Sequence, residues 1–248
     1  MAALLDVDGI SKRFGGLQAV RDLSFTVGAG EVVALIGPNG AGKTTVFGML
    51  SGFLIPDAGD VRLRGRSIRG VAPHVVCRLG LARTFQIVRP FPHLSVLRNV
   101  EVGALARHPR RSEACAVAAR VLDQVGLAGK RDQPARSLTL AERKRLELAR
   151  ALATEPALLL LDEVMAGLNA TETERIVELV RAINRQGVTI LLIEHVMRAV
   201  MSVSERIIVI NYGERIAEGR PDAVANDRSV IEAYLGDPGD ADVGAPAD

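Results

Sequence analysis

The sequence contains no tryptophan, and aromatic residues make up only 3% of its 248 positions. That scarcity argues against an aromatic platform for stacking nucleic-acid bases and against an interfacial aromatic belt. Two cysteines are present, Cys77 and Cys115, too far apart for a C-x-x-C pair. Neither a disulfide framework nor a zinc site is indicated, and a reducing compartment fits. Charge of one sign is also missing: 31 Lys and Arg oppose 29 Asp and Glu, so no broad field attracts nucleic acid or an anionic surface. The longest uninterrupted apolar run, Ala114 to Ala119, falls well short of the ~20 residues of a membrane-spanning helix. The start, Met1 to Asp8, lacks the basic and apolar regions of a signal peptide. Any membrane role is therefore expected to run through a partner.

What the chain does have is core-building material, with 48% hydrophobic and 24% charged residues. Short β-branched runs alternate with helical patterns, which predicts an α/β fold with a largely parallel sheet. Strands are expected near Glu31–Ile36, Asp60–Leu63, Leu158–Leu161, Thr189–Ile193 and Arg206–Ile210. Leu158–Leu161 and Ile190–Ile193 are continuously apolar, as strands buried on both faces must be. Ile176, Leu179, Val180 and Ile183 recur at helical spacing, as do Ala118, Val121, Leu122 and Val125. Ser24–Val27 with Gly28-Ala29-Gly30 reads as a strand and turn feeding an antiparallel neighbour, and Asn211-Tyr212-Gly213 as a further hairpin. Residues 87–155 carry helical patterns without a convincing buried strand and read as a helical subdomain inserted into a core of residues 1–86 and 156–235. The closing segment 236–248, with four Asp and two Pro, reads as a disordered acidic tail.

Chemistry enters at Gly37-Pro38-Asn39-Gly40-Ala41-Gly42-Lys43-Thr44-Thr45, which fits G-x-x-x-x-G-K-[ST] directly after a strand and before a helix. Glycines let such a loop curl until successive N–H groups face phosphate oxygens, and the following helix adds the positive end of its dipole. Lys43 would bridge β- and γ-phosphates, and the Thr44 hydroxyl would bind Mg²⁺. A second site follows the strand Leu158–Leu161: Asp162 suits the Mg²⁺ shell, and Glu163 could accept a proton from an attacking water. Read alone, these two carboxylates could equally solvate a strand end; beside a phosphate loop they read as a site.

With these motifs placed, the sequence resembles the ATP-binding subunit of ABC transporters along 1–235. The resemblance implies a RecA-like, mostly parallel core with an antiparallel β subdomain and an inserted helical subdomain. Ser11-Lys12-Arg13-Phe14-Gly15 is similar to the A-loop, implying that Phe14 stacks on adenine. Arg83-Thr84-Phe85-Gln86 resembles the Q-loop, implying that Gln86 reaches Mg²⁺ or the attacking water. His195, after Thr189–Glu194, resembles the switch histidine near the γ-phosphate. Leu138-Thr139-Leu140-Ala141-Glu142 stands where the signature lies, with Leu140 and Ala141 replacing its glycines. Thr139 and Glu142 form a T-x-x-E capping box, so Thr139 and Ala141 would offer a helix N-terminus to the γ-phosphate of a second subunit. Asn169 replaces the commoner Asp of the D-loop.

The Ala166-Gly167-Leu168-Asn169 form, Ile193-Glu194-His195 and Ile231–Gly236 are most similar to the branched-chain amino acid importer group; urea and lipopolysaccharide systems share parts of them. The resemblance implies ATP and Mg²⁺, transmembrane permease subunits, a second ATPase subunit, an extracytoplasmic solute-binding protein, no nucleic acid, and a place on the cytoplasmic face of the membrane. Arg89–Leu94 would seat a coupling helix of the permease. The basic clusters Arg107–Arg111 and Arg143-Lys144-Arg145 read as solvated surface. Three rivals stay open: a soluble ABC-type ATPase of DNA repair or ribosomes, a non-hydrolysing binding module, and a phosphotransferase. The first expects a coiled-coil insertion or fused nucleotide domains, and the second must overlook intact Lys43, Asp162 and Glu163. The third leaves Gln86, His195 and Thr139 unexplained.

Overall fold

The structure, a computed structural model, describes residues 3–86 and 89–235. The chain begins with β1 (Ala3–Phe14), β2 (Leu17–Gly28), β3 (Val32–Ile36), α1 (Lys43–Leu50), β4 (Ala58–Leu63), β5 (Arg66–Ser67), α2 (Pro73–Leu79) and β6 (Leu81–Arg83). Helices α3 (Val96–Ala104), α4 (Arg111–Gln124) and α5 (Leu140–Leu152) follow. The remainder runs β7 (Leu158–Asp162), α6 (Ala170–Arg185), β8 (Thr189–Ile193), α7 (Met197–Val203), β9 (Arg206–Asn211), β10 (Glu214–Gly219), α8 (Pro221–Ala225) and α9 (Arg228–Leu235).

The strands form two sheets. A six-stranded sheet has the order β10-β9-β3-β8-β7-β6, parallel throughout except for β10 against β9. A four-stranded antiparallel sheet has the order β2-β1-β4-β5. Side chains of the larger sheet divide strictly by pleat. Val32, Ala34, Ile36, Leu159, Leu161, Ile190 and Leu192 pack with α3–α6, whereas Val33, Leu35, Leu158, Leu160, Leu191 and Ile193 pack with α1 and the antiparallel sheet. This is the two-sided burial that continuous apolar runs predict. Between Arg89 and Glu155 the described residues are helices and turns, with one isolated bridge from Ser95 to Pro134. No described helix is long and apolar enough to cross a membrane.

Several expectations need correction. Ser24–Val27 belongs to β2, which pairs with β1 instead of the strand that follows it; the turn at Gly28–Gly30 hands the chain from one sheet to the other. Asp60–Leu63 also lies in the antiparallel sheet. Strand β1 was not expected at all, because Asp6, Asp8 and the register shift around Gly9 (φ 58°) break its alternation. The three-residue edge strand β6 is too short to leave a pattern. The hairpin at Tyr212-Gly213 does form, with φ of 46° and 83° at its two central residues, as a two-residue turn between twisted strands requires. The tail 236–248 and Ile87-Val88 lie outside the described residues.

The segment after Gln86 is fixed by one side chain. Asn99 on α3 is fully buried; its Oδ1 accepts from the Phe91 N–H (2.8 Å), and its Nδ2 donates toward the carbonyls of Phe91 (3.1 Å), Leu94 (3.3 Å) and Ser95 (3.0 Å). A buried amide satisfied in this way holds a loop that has no sheet or helix of its own.

Candidate functional site

The parallel strands β3, β8, β7 and β6 are neighbours and share a direction, so the segments leaving their carboxyl ends meet at one edge. These segments begin at Gly37, Glu194, Glu163 and Thr84. Gly37 packs so closely on β9 that a Cβ there would lie 2.0 Å from the Ile210 carbonyl oxygen. Gly42 has φ 101° and would collide with the Ala19 carbonyl at 2.4 Å. Side chains are thus excluded at both ends of the loop by backbone alone. Ala41 donates to the Pro38 carbonyl and accepts from the Gly213 N–H, which pins the loop to the β9–β10 turn. Helix α1 then starts with no side-chain cap and no acidic residue in its first turn, leaving its amides and dipole for an anion.

Lys43 is only 7% exposed, and its Nζ donates to the carbonyls of Gly37 (2.6 Å) and Pro38 (2.8 Å). Burial lowers its pKa, while Glu163 and Asp162 pull it back up. Thr44, Gln86 and Asp162 line a cleft of about 500 Å³ together with Arg83, Phe85, Arg89, Glu147 and Arg150. These three supply a hydroxyl, an amide and a carboxylate, the hard oxygen donors that Mg²⁺ prefers, so the residues fit such an ion. Asp162 is 2% exposed, and its Oδ2 lies 2.7 Å from Arg83 Nη2; its N–H donates to Thr84 Oγ1 at 3.0 Å.

Glu163 stands just past β7 with φ 49°. Gln86 Nε2 donates to its Oε2 at 2.6 Å, and His195 Nε2 lies 2.7 Å from its Oε1. Three residues expected to act on the γ-phosphate or water, drawn from three different strand ends, therefore share one carboxylate. The Glu163 backbone is also held, its N–H donating to the Ile193 carbonyl (2.9 Å) and its carbonyl accepting from Lys144 Nζ (2.7 Å).

The other expected residues are not part of this cluster. Thr139 caps α5 within a complete capping box: its N–H donates to Glu142 Oε2 (2.9 Å), and its hydroxyl accepts from the Glu142 N–H. Glu142 also lies 2.5 Å from Lys130 Nζ, and this bond lowers its pKa. Its negative charge is thus turned back into the helix N-terminus and compensated by Lys130. Phe14 is half-exposed at the end of β1, with the Lys12 ammonium 5.8 Å from its ring centroid.

Set beside known proteins, the chain gives consistent matches. The profile of the family described as ABC transporter matches residues 20–166, and that of the branched-chain amino acid ATP-binding cassette transporter matches residues 214–240. The chain belongs to the ABC transporter ATP-binding family. It is 42% identical to the high-affinity branched-chain amino acid transport ATP-binding protein LivG of Salmonella typhimurium, over 94% of this chain and 98% of that one. BraF of Pseudomonas aeruginosa, with the same transport description, matches at the same identity and coverage. A nucleotide-free ATP-binding cassette of an ABC transporter superposes with a TM-score of 0.87 at 29% identity, covering 95% of this chain and 100% of that one. The ADP conformation of MJ1267, another such cassette, gives 0.87 at 30% identity, covering 96% and 100%.

This ABC ATPase carries site residues that sequence reasoning missed. Arg83 opens the Q-loop-like segment but carried no role of its own there, yet it pairs with Asp162. The basic run Arg143-Lys144-Arg145, read as solvated surface, is used to satisfy carbonyls: Arg143 reaches Leu138, Arg145 reaches Val125 and Gly126, and Lys144 is 5% exposed. A signal was available, since Lys144 shares the i, i+3, i+4, i+7 stripe with buried Glu147, Leu148 and Ala151.

Glu194 was passed over for the histidine beside it. It is 2% exposed; one carboxylate oxygen accepts from the Met165 N–H (2.8 Å), and the other is buried without a partner among the described residues. Burial raises its pKa from 4.5 to about 7. Folded chain thus holds a proton that the unfolded chain has lost between those values, so stability falls as pH rises through that window. The loss amounts to about 3 kcal/mol at pH 8 relative to pH 4.5. Glu194→Gln, which carries no charge at any pH, should be more stable than the native chain at pH 8 and similar to it near pH 5. Urea unfolding at the two pH values measures this; parallel behaviour of the two proteins would mean that Glu194 stays ionised.

Proposed function

We propose that this chain is the ATP-hydrolysing subunit of an importer for branched-chain amino acids, attached to the cytoplasmic face of the membrane through its permease partners. The observation that carries the catalytic half is the shared Glu163 carboxylate, held by Gln86 and His195 beside the phosphate loop. The likeness to LivG and BraF, together with the C-terminal match at residues 214–240, supports the choice of solute.

The phosphate loop from Gly37 to Thr45 would wrap the triphosphate, with Lys43 moving from the Gly37 and Pro38 carbonyls to phosphate oxygens. Thr44 and Asp162, with Gln86, would hold Mg²⁺, whose charge counters that developing on the phosphates. Glu163 would take the proton of the attacking water, Gln86 would orient that water, and His195 would face the γ-phosphate. Phe14 would stack on adenine. A second ATPase subunit, identical or paralogous, would present its own helix N-terminus, equivalent to Thr139 and Ala141, to the same γ-phosphate. Hydrolysis removes the phosphate that joins the two subunits, and the opening motion passes to the permease through the Arg89–Leu94 segment. A solute-binding protein would deliver amino acid on the far side.

The reading is tested by deleting the gene in its host and measuring uptake of labelled leucine, isoleucine, valine and urea, alongside capture of the tagged chain from membranes in mild detergent. Loss of branched-chain uptake and recovery of multi-spanning subunits with a second ATPase are expected. Loss of urea uptake alone would move the assignment to the amide systems. Capture of ribosomal or DNA-bound proteins without a membrane partner would overturn the transport role.

A further inference from the structure

Helix α5 touches the candidate site at three places on one face. Lys144 Nζ donates to the Glu163 carbonyl at 2.7 Å, Glu147 lies against the Phe85 backbone, and Arg150 Nη1 donates to the Arg89 carbonyl at 3.2 Å. Spaced three residues apart, these contacts reach the backbone on both sides of Gln86 and the backbone of Glu163. One helix face therefore grips both partners of the Gln86–Glu163 hydrogen bond.

Lys144 is the least expected of the three. An ammonium taken out of water is costly unless it gains a close counter-charge or strong hydrogen bonds. Burial lowers its pKa, with only partial compensation from the surrounding Glu194, Glu163, Asp162 and Glu147. Among the described residues its ammonium, which carries three N–H donors, forms no ion pair within 4.0 Å and makes a single hydrogen bond, to a main-chain carbonyl. That carbonyl belongs to a non-glycine residue in the left-handed region (φ 49°), a conformation that persists only when surrounding contacts over-determine it. With the N–H of the same residue tied to Ile193 in β8, the Lys144 bond holds the peptide that follows, so Glu163 is fixed on both sides of its Cα.

We infer that Lys144 is a positioning residue for Glu163: by holding the Glu163 carbonyl from α5, it fixes the backbone from which the carboxylate meets Gln86 and His195. The inference rests on Glu163 being the proton acceptor. It also gives α5 a direct hold on the reacting centre. Thr139 caps the same helix five residues earlier, so the cap proposed to meet a second subunit and the Glu163 backbone are joined by one helix and one ammonium.

The test uses the full chain with ATP, measuring steady-state turnover, KM and binding of a fluorescent ATP analogue for Lys144→Met, Glu163→Gln and the double variant. Lys144→Met is expected to lower kcat about 10-fold to 100-fold, as displacement of a reacting group by an ångström does, with analogue affinity and KM within twofold of native. Added to Glu163→Gln, it should cause no further loss, since its effect passes through the carboxylate already removed. Lys144→Gln keeps an N–H donor and should lose less turnover than the methionine variant; Lys144→Leu, which has no donor either, replaces Lys144→Met should that variant not fold. Native turnover in the donor-less variant while Glu163→Gln is inactive, or turnover in Lys144→Gln no higher than in the donor-less variant, would overturn the inference alone. So would a further fall in the double variant. Native turnover in Glu163→Gln would instead overturn the assignment of the base.

Discussion

Glu163→Gln should reduce ATP hydrolysis by at least ~100-fold, the lower end of what a positioned general base contributes, while nucleotide affinity stays near native. The amide is nearly isosteric, and its carbonyl oxygen can still accept from Gln86 or His195, so the local geometry of a carboxylate with two partners survives. What disappears is the ability to take a proton from water. With ATP bound but not cleaved, the contacts that close two subunits persist, and the variant should accumulate as an ATP-dependent dimer. Phosphate release measures the first effect, and size-exclusion chromatography with and without ATP the second. Turnover within a few-fold of native would assign the proton transfer elsewhere, His195 being next in line by position.

The second large effect concerns folding. Arg83→Leu should lower the free energy of unfolding by about 3–5 kcal/mol, because it leaves Asp162 as a buried carboxylate without its counter-charge. Both partners are almost wholly shielded from water, and the guanidinium also lies over the rings of Phe47 (5.7 Å) and Phe85 (5.3 Å). Loss of packing therefore adds to loss of charge. The control is Asp162→Asn in the same background. If the unpaired charge is the cause, the double variant recovers much of the stability, as replacement of a buried pair by neutral groups often does. Equal destabilisation of single and double variants would point to the aromatic stacking alone. Chemical unfolding followed by far-UV circular dichroism distinguishes the two.

The residues behind these predictions differ in how far they could be read from sequence. Gly37 to Thr45 and Asp162-Glu163 were legible because each is a contiguous stretch whose chemistry dictates its own order: strand, tight loop, helix, or buried strand, then carboxylates. The strands β7, β8 and β9 were legible for a similar reason, since burial on both faces leaves an unbroken apolar run. Arg83 and Lys144 were not, because their roles come from strand order and helix docking that bring residues 79 and 19 positions apart into contact. A basic side chain on a helix reads as surface until the helix is known to lie on a carboxylate edge. Glu194 was hidden by its neighbour, as the histidine carried the recognisable pattern while the buried carboxyl group bonds to Met165 across a loop. Strand β1 was obscured by a bulge, which breaks the alternation on which strand recognition depends.

The strand order has a consequence for biosynthesis. Strand β3, Val-Val-Ala-Leu-Ile with every residue buried, leaves the ribosome among the first elements, yet its two neighbours in the finished sheet are β8 and β9, near the end of the chain. At ~5–20 residues per second, the wait between them is on the order of ten seconds or more. Throughout that interval both edges of an apolar strand stay open, with only α1 and the antiparallel sheet already made to shelter one face. Nascent chains stalled before residue 189 should therefore depend on chaperones and aggregate when released, whereas chains released past Gly219 should not. No N-terminal fragment can assemble the nucleotide site early, so a partly made subunit has no opportunity to consume ATP.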